Sequence, residues 1–238
     1  MHLFYAPSID FSKDHLLSEE ESRHTVKVLR LQKGAEVLVT NGKGSRALAR
    51  LTDPSLRACR LEILEVHDEV GKRNFFFHLA IAPTKNPDRI EWMLEKATEV
   101  GIERITPMIT HRSERRDVNH TRLERILIAA MKQSMRSYLP QLGAPQHVSK
   151  IIGEASETKK FIAHCLSGTT PLDPRDFSPR DSVLVLIGPE GDFTSPEIEA
   201  ALLRDFKPLN LGHGRLRTET AGLVVCTQLA YIMQQFGN

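Results

Sequence analysis

Residues 75–82 read Phe-Phe-Phe-His-Leu-Ala-Ile-Ala and lead into Asn86-Pro87-Asp88. A run that is apolar at nearly every position has no wet face, so it belongs in a sheet covered on both sides, typical of a parallel strand. Asn86 is a good N-cap, Pro87 suits the first helical position and Asp88 places a carboxylate at the positive end of the helix. Ile90, Met93, Leu94, Ala97 and Val100 then recur at helical spacing, and Gly101 ends the helix before the strand-like Ile105–Ile109. Strand, helix and parallel strand thus follow within one short stretch, and a covered parallel sheet is the architecture they demand.

The same alternation continues to the end of the chain. The pattern predicts a helix over 123–135 stopped before Pro140, strands at 161–165 and 183–187, a helix over 196–204, a short strand at 208–211 and a terminal helix over 218–235. This is an α/β layer domain, placed at residues 74–238. The first seventy residues differ: short β-type runs at 36–40, 46–51 and 58–66 are punctuated by Asn41-Gly42-Lys43-Gly44 and Asp53-Pro54. Asn-Gly between such runs favours a tight hairpin, so residues 1–70 read as a small β-barrel or sandwich. Within it, Ser18 followed by Glu21 matches a capping box and predicts a helix over 18–29. The polar stretch 67–73 separates the halves.

With 238 residues, 40% of them hydrophobic, the chain can bury one large core or two modest ones. Its apolar runs, such as 183–187, fall far short of the roughly 20 residues of a membrane span. Met-His-Leu-Phe-Tyr-Ala-Pro carries no secretory pattern, so a cytoplasmic protein is expected. Cys59, Cys165 and Cys226 are odd in number and widely spaced, which predicts reduced, mostly buried thiols and no metal site. A net charge of +2 does not by itself mark a nucleic-acid binder, but Arg104, Arg112, Arg115, Arg116, Arg122, Arg125, Lys132 and Arg136 make 104–136 locally basic. That segment is either a solvated helix face or a phosphate grip.

Two glycine turns stand out between Ile187 and Ala221. Gly188-Pro189-Glu190-Gly191 directly follows an apolar strand, and Gly212-His213-Gly214 precedes Leu216-Arg217-Thr218-Glu219-Thr220-Ala221, where Thr218 or Thr220 is the expected helix cap. In open α/β sheets ligands bind beyond the carboxyl ends of strands, where glycines let main-chain donors approach closely. Glu190 disfavours a phosphate, and neither turn fits G-x-G-x-x-G or G-x-x-x-x-G-K-[ST], so a cationic or uncharged ligand suits the site better. The purely structural alternative is two tight turns and one cap.

Residues 187–197 and 209–221 resemble the signature segments of the RsmE family of 16S ribosomal RNA uridine N3-methyltransferases, in the SPOUT class. Supporting segments are Ser22-Arg23-His24, Val28-Leu29-Arg30-Leu31, Glu95–Ile102, His111-Arg112-Ser113, and Gln133-Ser134 with Arg136 and Pro140. Nearly the whole chain is covered. The resemblance implies a PUA-like RNA-binding β-barrel followed by a SPOUT α/β domain with a deep trefoil knot, usually dimeric. It implies an S-adenosyl-L-methionine pocket formed by Leu166, Gly188, Pro189, Glu190, Gly191, Leu211, Gly212, Leu216, Thr218, Thr220 and Ala221. Asp192 stands where the family usually has glycine, Arg215 where an aliphatic residue is common, Met135 in place of a small residue, and Leu3 in place of an arginine beside Phe4.

Methylation at uracil N3 requires loss of the N3 proton. A carboxylate can accept it and a guanidinium can stabilise charge developing on the uracil oxygens, which nominates Glu219 and Arg217, with His213 as the weaker base. N3 lies on the pairing edge, so the base must be unpaired or extruded. Arg23, His24, Arg30, Arg112, Arg115, Arg116 and Arg136 are the candidate RNA grip, and 16S rRNA, free or within an assembled small subunit, the expected partner. The competing readings are a related methyltransferase acting on a ribose 2'-hydroxyl or a tRNA, and an RNA-binding assembly factor without catalysis.

Overall fold

The computed structural model describes residues 1–236, and the chain divides into two compact units, 1–72 with 131–139 and 73–130 with 140–238. The first unit holds β1 (Leu3–Tyr5), β2 (His15–Leu16), α1 (Glu19–Arg23), β3 (Glu36–Thr40), β4 (Arg46–Asp53) and β5 (Arg60–His67). Its five-stranded sheet runs in the order β1-β3-β4-β5-β2, parallel between β1 and β3 and antiparallel elsewhere. Alternate residues Val37, Val39, Ala47, Ala49 and Leu51 enter one core with Phe4, Leu17, Cys59 and Leu61, as a period-two strand pattern requires.

Three local expectations in this unit change. Ser18 does cap a helix, its hydroxyl accepting from the Glu21 amide at 3.3 Å. The α-helix nevertheless ends at Arg23, and 24–28 continue as a π-helical turn that closes on Arg30 at φ +53°. Asn41-Gly42 forms no two-residue hairpin: the Asn41 Oδ1 accepts from the Lys43 and Ser45 amides, at 2.7 and 3.2 Å, and the loop closes from Asn41 to Ser45. Residues 131–139 pack here, Gly44 donating to the Ser137 carbonyl at 2.9 Å and Leu139 to the Gly42 carbonyl at 2.9 Å. A Cβ on Gly44 would collide with the Tyr138 ring.

The second unit carries β6 (Phe76–Ile81), α2 (Pro87–Val100), β7 (Arg104–Ile109), α3 (His120–Gln133, whose last residues enter the first unit), β8 (Gln141–Leu142), β9 (Gln146–His147) and α4 (Val148–Glu154). It continues with β10 (Lys159–Ala163), β11 (Ser182–Ile187), α5 (Ser195–Leu202), β12 (Lys207–Leu209) and α6 (Thr218–Gln234). All pairings in its sheet are parallel, in the order β12-β10-β11-β6-β7-β8, with β9 also on β7. On one face Ala80, Met108, Ile162, Leu184 and Leu186 meet α4 and α5 through Ile151, Ile152, Ile198 and Ala201. On the other, α2 and α6 pack together where Gly222 lets α6 approach the sheet: a Cβ there would lie 2.8 Å from Ile81 Cδ1 and 3.3 Å from Met93 Sδ.

Asn86 caps α2 through its side chain and Gly101 ends it at φ +107°. The sequence pattern misses β8, β9 and α4, which are too short to show a period. Among the described residues, no helix is long and apolar enough to cross a membrane, and no three His, Cys, Asp or Glu side chains cluster as a metal would need.

Candidate functional site

Three strands of the second unit end level with one another. Ala163 pairs with Ile187 on one side and with Leu209 on the other, so the loops that follow all leave the same edge of the sheet. Between them lies a cleft of about 990 Å³. Leu166, Gly188, Pro189, Glu190, Leu211, Gly212, Leu216, Thr218 and Ala221 line it, together with Arg217 and with Asp192, His213 and Arg215. Gly191 and Thr220 do not line it; Thr220 and Glu219 face a neighbouring groove of about 580 Å³ that shares Arg215, Leu216 and Arg217 with the cleft.

Each loop is held by side-chain bonds to main chain. The 188–192 turn closes through the Asp192 amide on the Pro189 carbonyl at 2.9 Å. Asp192 itself sits at φ +61°, a conformation glycine adopts freely and few side chains do. Its carboxylate accepts from the Phe193 amide at 2.7 Å and from the Cys165 amide at 2.9 Å, tying the 164–167 loop to the turn. The Arg112 Nη1 donates to the Gly191 carbonyl at 2.7 Å and the Phe193 carbonyl at 3.4 Å. Arg112, expected to reach toward RNA, is exposed and uses one guanidinium nitrogen to hold the turn. Nearby, Glu197 accepts from the His111 amide at 2.8 Å and completes the Thr194 capping box that starts α5.

The third loop uses Asn210, whose Oδ1 accepts from the Gly212 amide at 2.7 Å and sets the turn at φ +132°. It leads into α6, whose N-cap is Arg217 without a side-chain cap bond, not either threonine. The Thr218 hydroxyl instead donates to the Gly188 carbonyl at 3.1 Å. Packing decides this: Thr218 is buried against the 188–192 turn, where that carbonyl needs a donor.

Electrostatics in the cleft are mixed. Glu190 is exposed, with Asp192, Arg215 and Arg217 on the same walls. Desolvation pushes the His164 pKa down against the opposing charge of Asp192, and its buried Nε2 has no hydrogen-bond partner among the described residues. Cys165 is exposed rather than buried, a correction to the sequence expectation. Its thiol pKa is raised, first by desolvation of the sulfur and then by Asp192, with Arg215 opposing. Glu219, in the first turn of α6, is only 7% exposed. Its Oε1 lies 3.9 Å from Arg89 Nε, an ion pair too long for a hydrogen bond, and its Oε2 has no partner among the described residues.

The other basic candidates belong to both units. Arg23 pairs with Glu19, His24 and Arg30 are exposed around the π-helical turn, Arg115 bonds the Asp117 carbonyl at 3.0 Å, Arg116 is exposed and Arg136 is half-buried after α3. Sequence reasoning also missed His164, Cys165, Ser167 and Thr169 in the cleft. Their signal was slight: a polar stretch after a predicted strand.

A parallel α/β unit that opens a cleft between main-chain turns at level strand ends, joined to a small β unit, defines a two-part α/β protein whose cleft lies beyond the carboxyl ends of its strands, where ligands bind in open α/β sheets. The chain belongs to the RNA methyltransferase family: residues 72–230 match the RNA methyltransferase domain and 17–64 the RNA methyltransferase PUA domain. It is 28% identical to the ribosomal RNA small subunit methyltransferase E of Synechocystis sp., over 98% of this chain and 78% of that one. Among solved structures, it resembles a Porphyromonas gingivalis protein named "probable rRNA-methyltransferase" at 36% identity and TM-score 0.90, covering 99% of this chain and 100% of that one. The ribosomal RNA small subunit methyltransferase E of Neisseria gonorrhoeae, solved bound to S-adenosyl methionine, matches at 27% identity and TM-score 0.85 over 98% of each chain.

Proposed function

We propose that this enzyme transfers a methyl group from S-adenosylmethionine to N3 of a specific uridine in 16S, small-subunit ribosomal RNA. The single observation that carries the reading is the level exit of three loops at Ala163, Ile187 and Leu209, which builds one cleft from main-chain turns. The cleft suits the cofactor in size, since small-molecule sites span roughly 300–1,000 Å³. Leu166 and Leu216 leave apolar surface exposed to it, and Glu190 and Asp192 suit a cationic ligand. The residues that would hold it are Leu166, Gly188, Pro189, Glu190, Leu211, Gly212, Leu216, Thr218 and Ala221, with Gly191 and Thr220 acting through the shape of their turns. When bound, the cofactor supplies an electrophilic methyl carried on a sulfonium.

The chain's own residues prepare the base. Glu219 accepts the N3 proton, and Arg217, at the mouth shared by cleft and groove, stabilises negative charge on the uracil oxygens. His213 is exposed and less constrained, so it is the poorer base. Arg23, His24, Arg30, Arg115, Arg116 and Arg136 grip phosphate, while Arg112 acts by holding the turn.

The family resemblance supports three further parts of the reading. The path through these loops is a deep trefoil knot, a rare exception to ordinary chain topology; the enzyme is a homodimer; and it works in the cytoplasm on 16S rRNA, free or in the small subunit. Labelled S-adenosylmethionine with small-subunit RNA tests the activity. Label is expected on uracil N3, whereas label on ribose, label on tRNA or no transfer overturns it.

A further inference from the structure

The groove beside the cofactor cleft is built from two helix entries. Arg89 and Trp92 stand three residues apart on α2 and so share a face, and Arg217, Glu219 and Thr220 come from the start of α6. Trp92 is 44% exposed, although an indole of its area gains most from burial. The same groove is lined by Glu219, whose carboxylate Oε2 has no donor among the described residues; rotation about the last side-chain torsion of glutamate is soft, so its two oxygens exchange places at little cost. A buried acceptor without a partner is destabilising until a donor reaches it. Three guanidiniums, Arg89, Arg215 and Arg217, rim the groove against the carboxylates of Asp88 and Glu219.

A flat aromatic face, an acceptor at depth and a cationic rim together match a planar base that carries an N–H and trails phosphates. We propose that this groove seats the extruded pyrimidine, with Trp92 as its stacking platform and Glu219 accepting from its imino N–H. Continuity with the cofactor cleft through Leu216 and Arg217 places the base beside the methyl-donor site. The proposal rests on the uridine reading above and adds to it the residues that hold the base. Trp92 is thereby a substrate-binding residue contributed by α2, remote in sequence from the glycine turns.

Trp92 is the single tryptophan of the chain, so its fluorescence reports this groove alone. The full-length protein, at fixed concentration and saturated with S-adenosylhomocysteine, is titrated with a single-stranded RNA containing the target uridine and with the same RNA abasic at that position. Saturable quenching by the first and not the second is expected. Trp92→Ala should raise KM for RNA by about 5- to 150-fold, the usual worth of one base stack, with cofactor affinity unchanged, and Trp92→Phe should recover most of the loss. Equal quenching by both RNAs, or a normal KM in a folded Trp92→Ala protein, overturns the proposal. So does fluorescence that follows protein concentration and ignores RNA, which would mean that a second copy covers the groove. Label on ribose in the transfer assay would sink the uridine reading instead, whatever Trp92 does.

Discussion

The Thr218 hydroxyl donates a 3.1 Å hydrogen bond to the Gly188 carbonyl, joining the first turn of α6 to the glycine turn after β11. One bond therefore ties together two of the segments that line the cleft. Thr218→Val keeps the shape and orphans the carbonyl, a cost of about 1–3 kcal/mol. Calorimetric titration with S-adenosylmethionine should show affinity about tenfold weaker, with Thr218→Ser close to the parent; equal affinity in the valine variant would remove this role.

Arg112 and Arg116 should separate cleanly. Arg112→Ala removes the donor to the Gly191 and Phe193 carbonyls, and cofactor dissociation constants should rise by about tenfold, at about 1–1.5 kcal/mol for a charged bond shared with solvent. The slope of RNA affinity against salt should stay near its parent value. Arg116→Ala should leave cofactor binding alone and reduce the salt slope by about one phosphate contact. Filter binding across salt concentrations, run beside calorimetry, reads both.

Asp192 ties two loops while standing in a left-handed conformation. Asp192→Ala keeps the conformational strain and loses both amide bonds, so it should bind cofactor more weakly than Asp192→Gly, which relieves the strain. Asp192 also helps raise the Cys165 thiol pKa. In Asp192→Asn, alkylation of Cys165 should accelerate at a given pH because the thiolate forms more readily. An unchanged rate-pH curve would show that Asp192 does not govern this loop.

Glu219→Gln should retain cofactor binding and lose methyl transfer by about 10²- to 10⁴-fold, the range for a positioned acid or base. Glu219→Asp should fall between. Single-turnover kinetics with labelled cofactor provide the measurement, and transfer within a few-fold of the parent in the glutamine variant would rule out Glu219 as the proton acceptor.

Outside the cleft lining, His78 on β6 lies between Glu157 and Thr106, 2.8 Å from each. Desolvation pushes the Glu157 carboxyl up, but the His78 bond and the amides of Glu157 and Ser156 outweigh it and hold it below the ordinary value of 4.5. A folded-state pKa below the unfolded one means stability that is complete above about pH 5 and lost as pH falls through the folded value. Urea midpoints should drop on acidification below about pH 5 in the parent and drop less in Glu157→Gln, which starts lower. Parallel curves would contradict the assignment.

Several elements could be read directly because their signals are local. Asn86, Pro87 and Gly101 bracket α2 with capping chemistry that depends on neighbouring residues alone, and the apolar runs at 75–82 and 183–187, with no wet face, form the covered strands β6 and β11. The helix α4 was not legible, since seven residues containing Gly153 show no clear period. The bonds of Arg112 to the 191–193 main chain were not legible for a related reason: a basic side chain in a basic segment gives no sign of a carbonyl that only the fold brings within its reach.

The amino-acid sequence by itself determined where the longer strands and helices of the α/β unit lie, that two glycine turns sit after late strands, and which family the signature segments resemble. Only the tertiary structure decided that Ala163, Ile187 and Leu209 end level, that Thr218 bonds Gly188 instead of capping α6, and that Trp92 and Glu219 face one groove. The reason is physical: caps and periodicity act over a few residues, whereas strand register and the pairing of buried donors with acceptors are fixed only when distant segments pack.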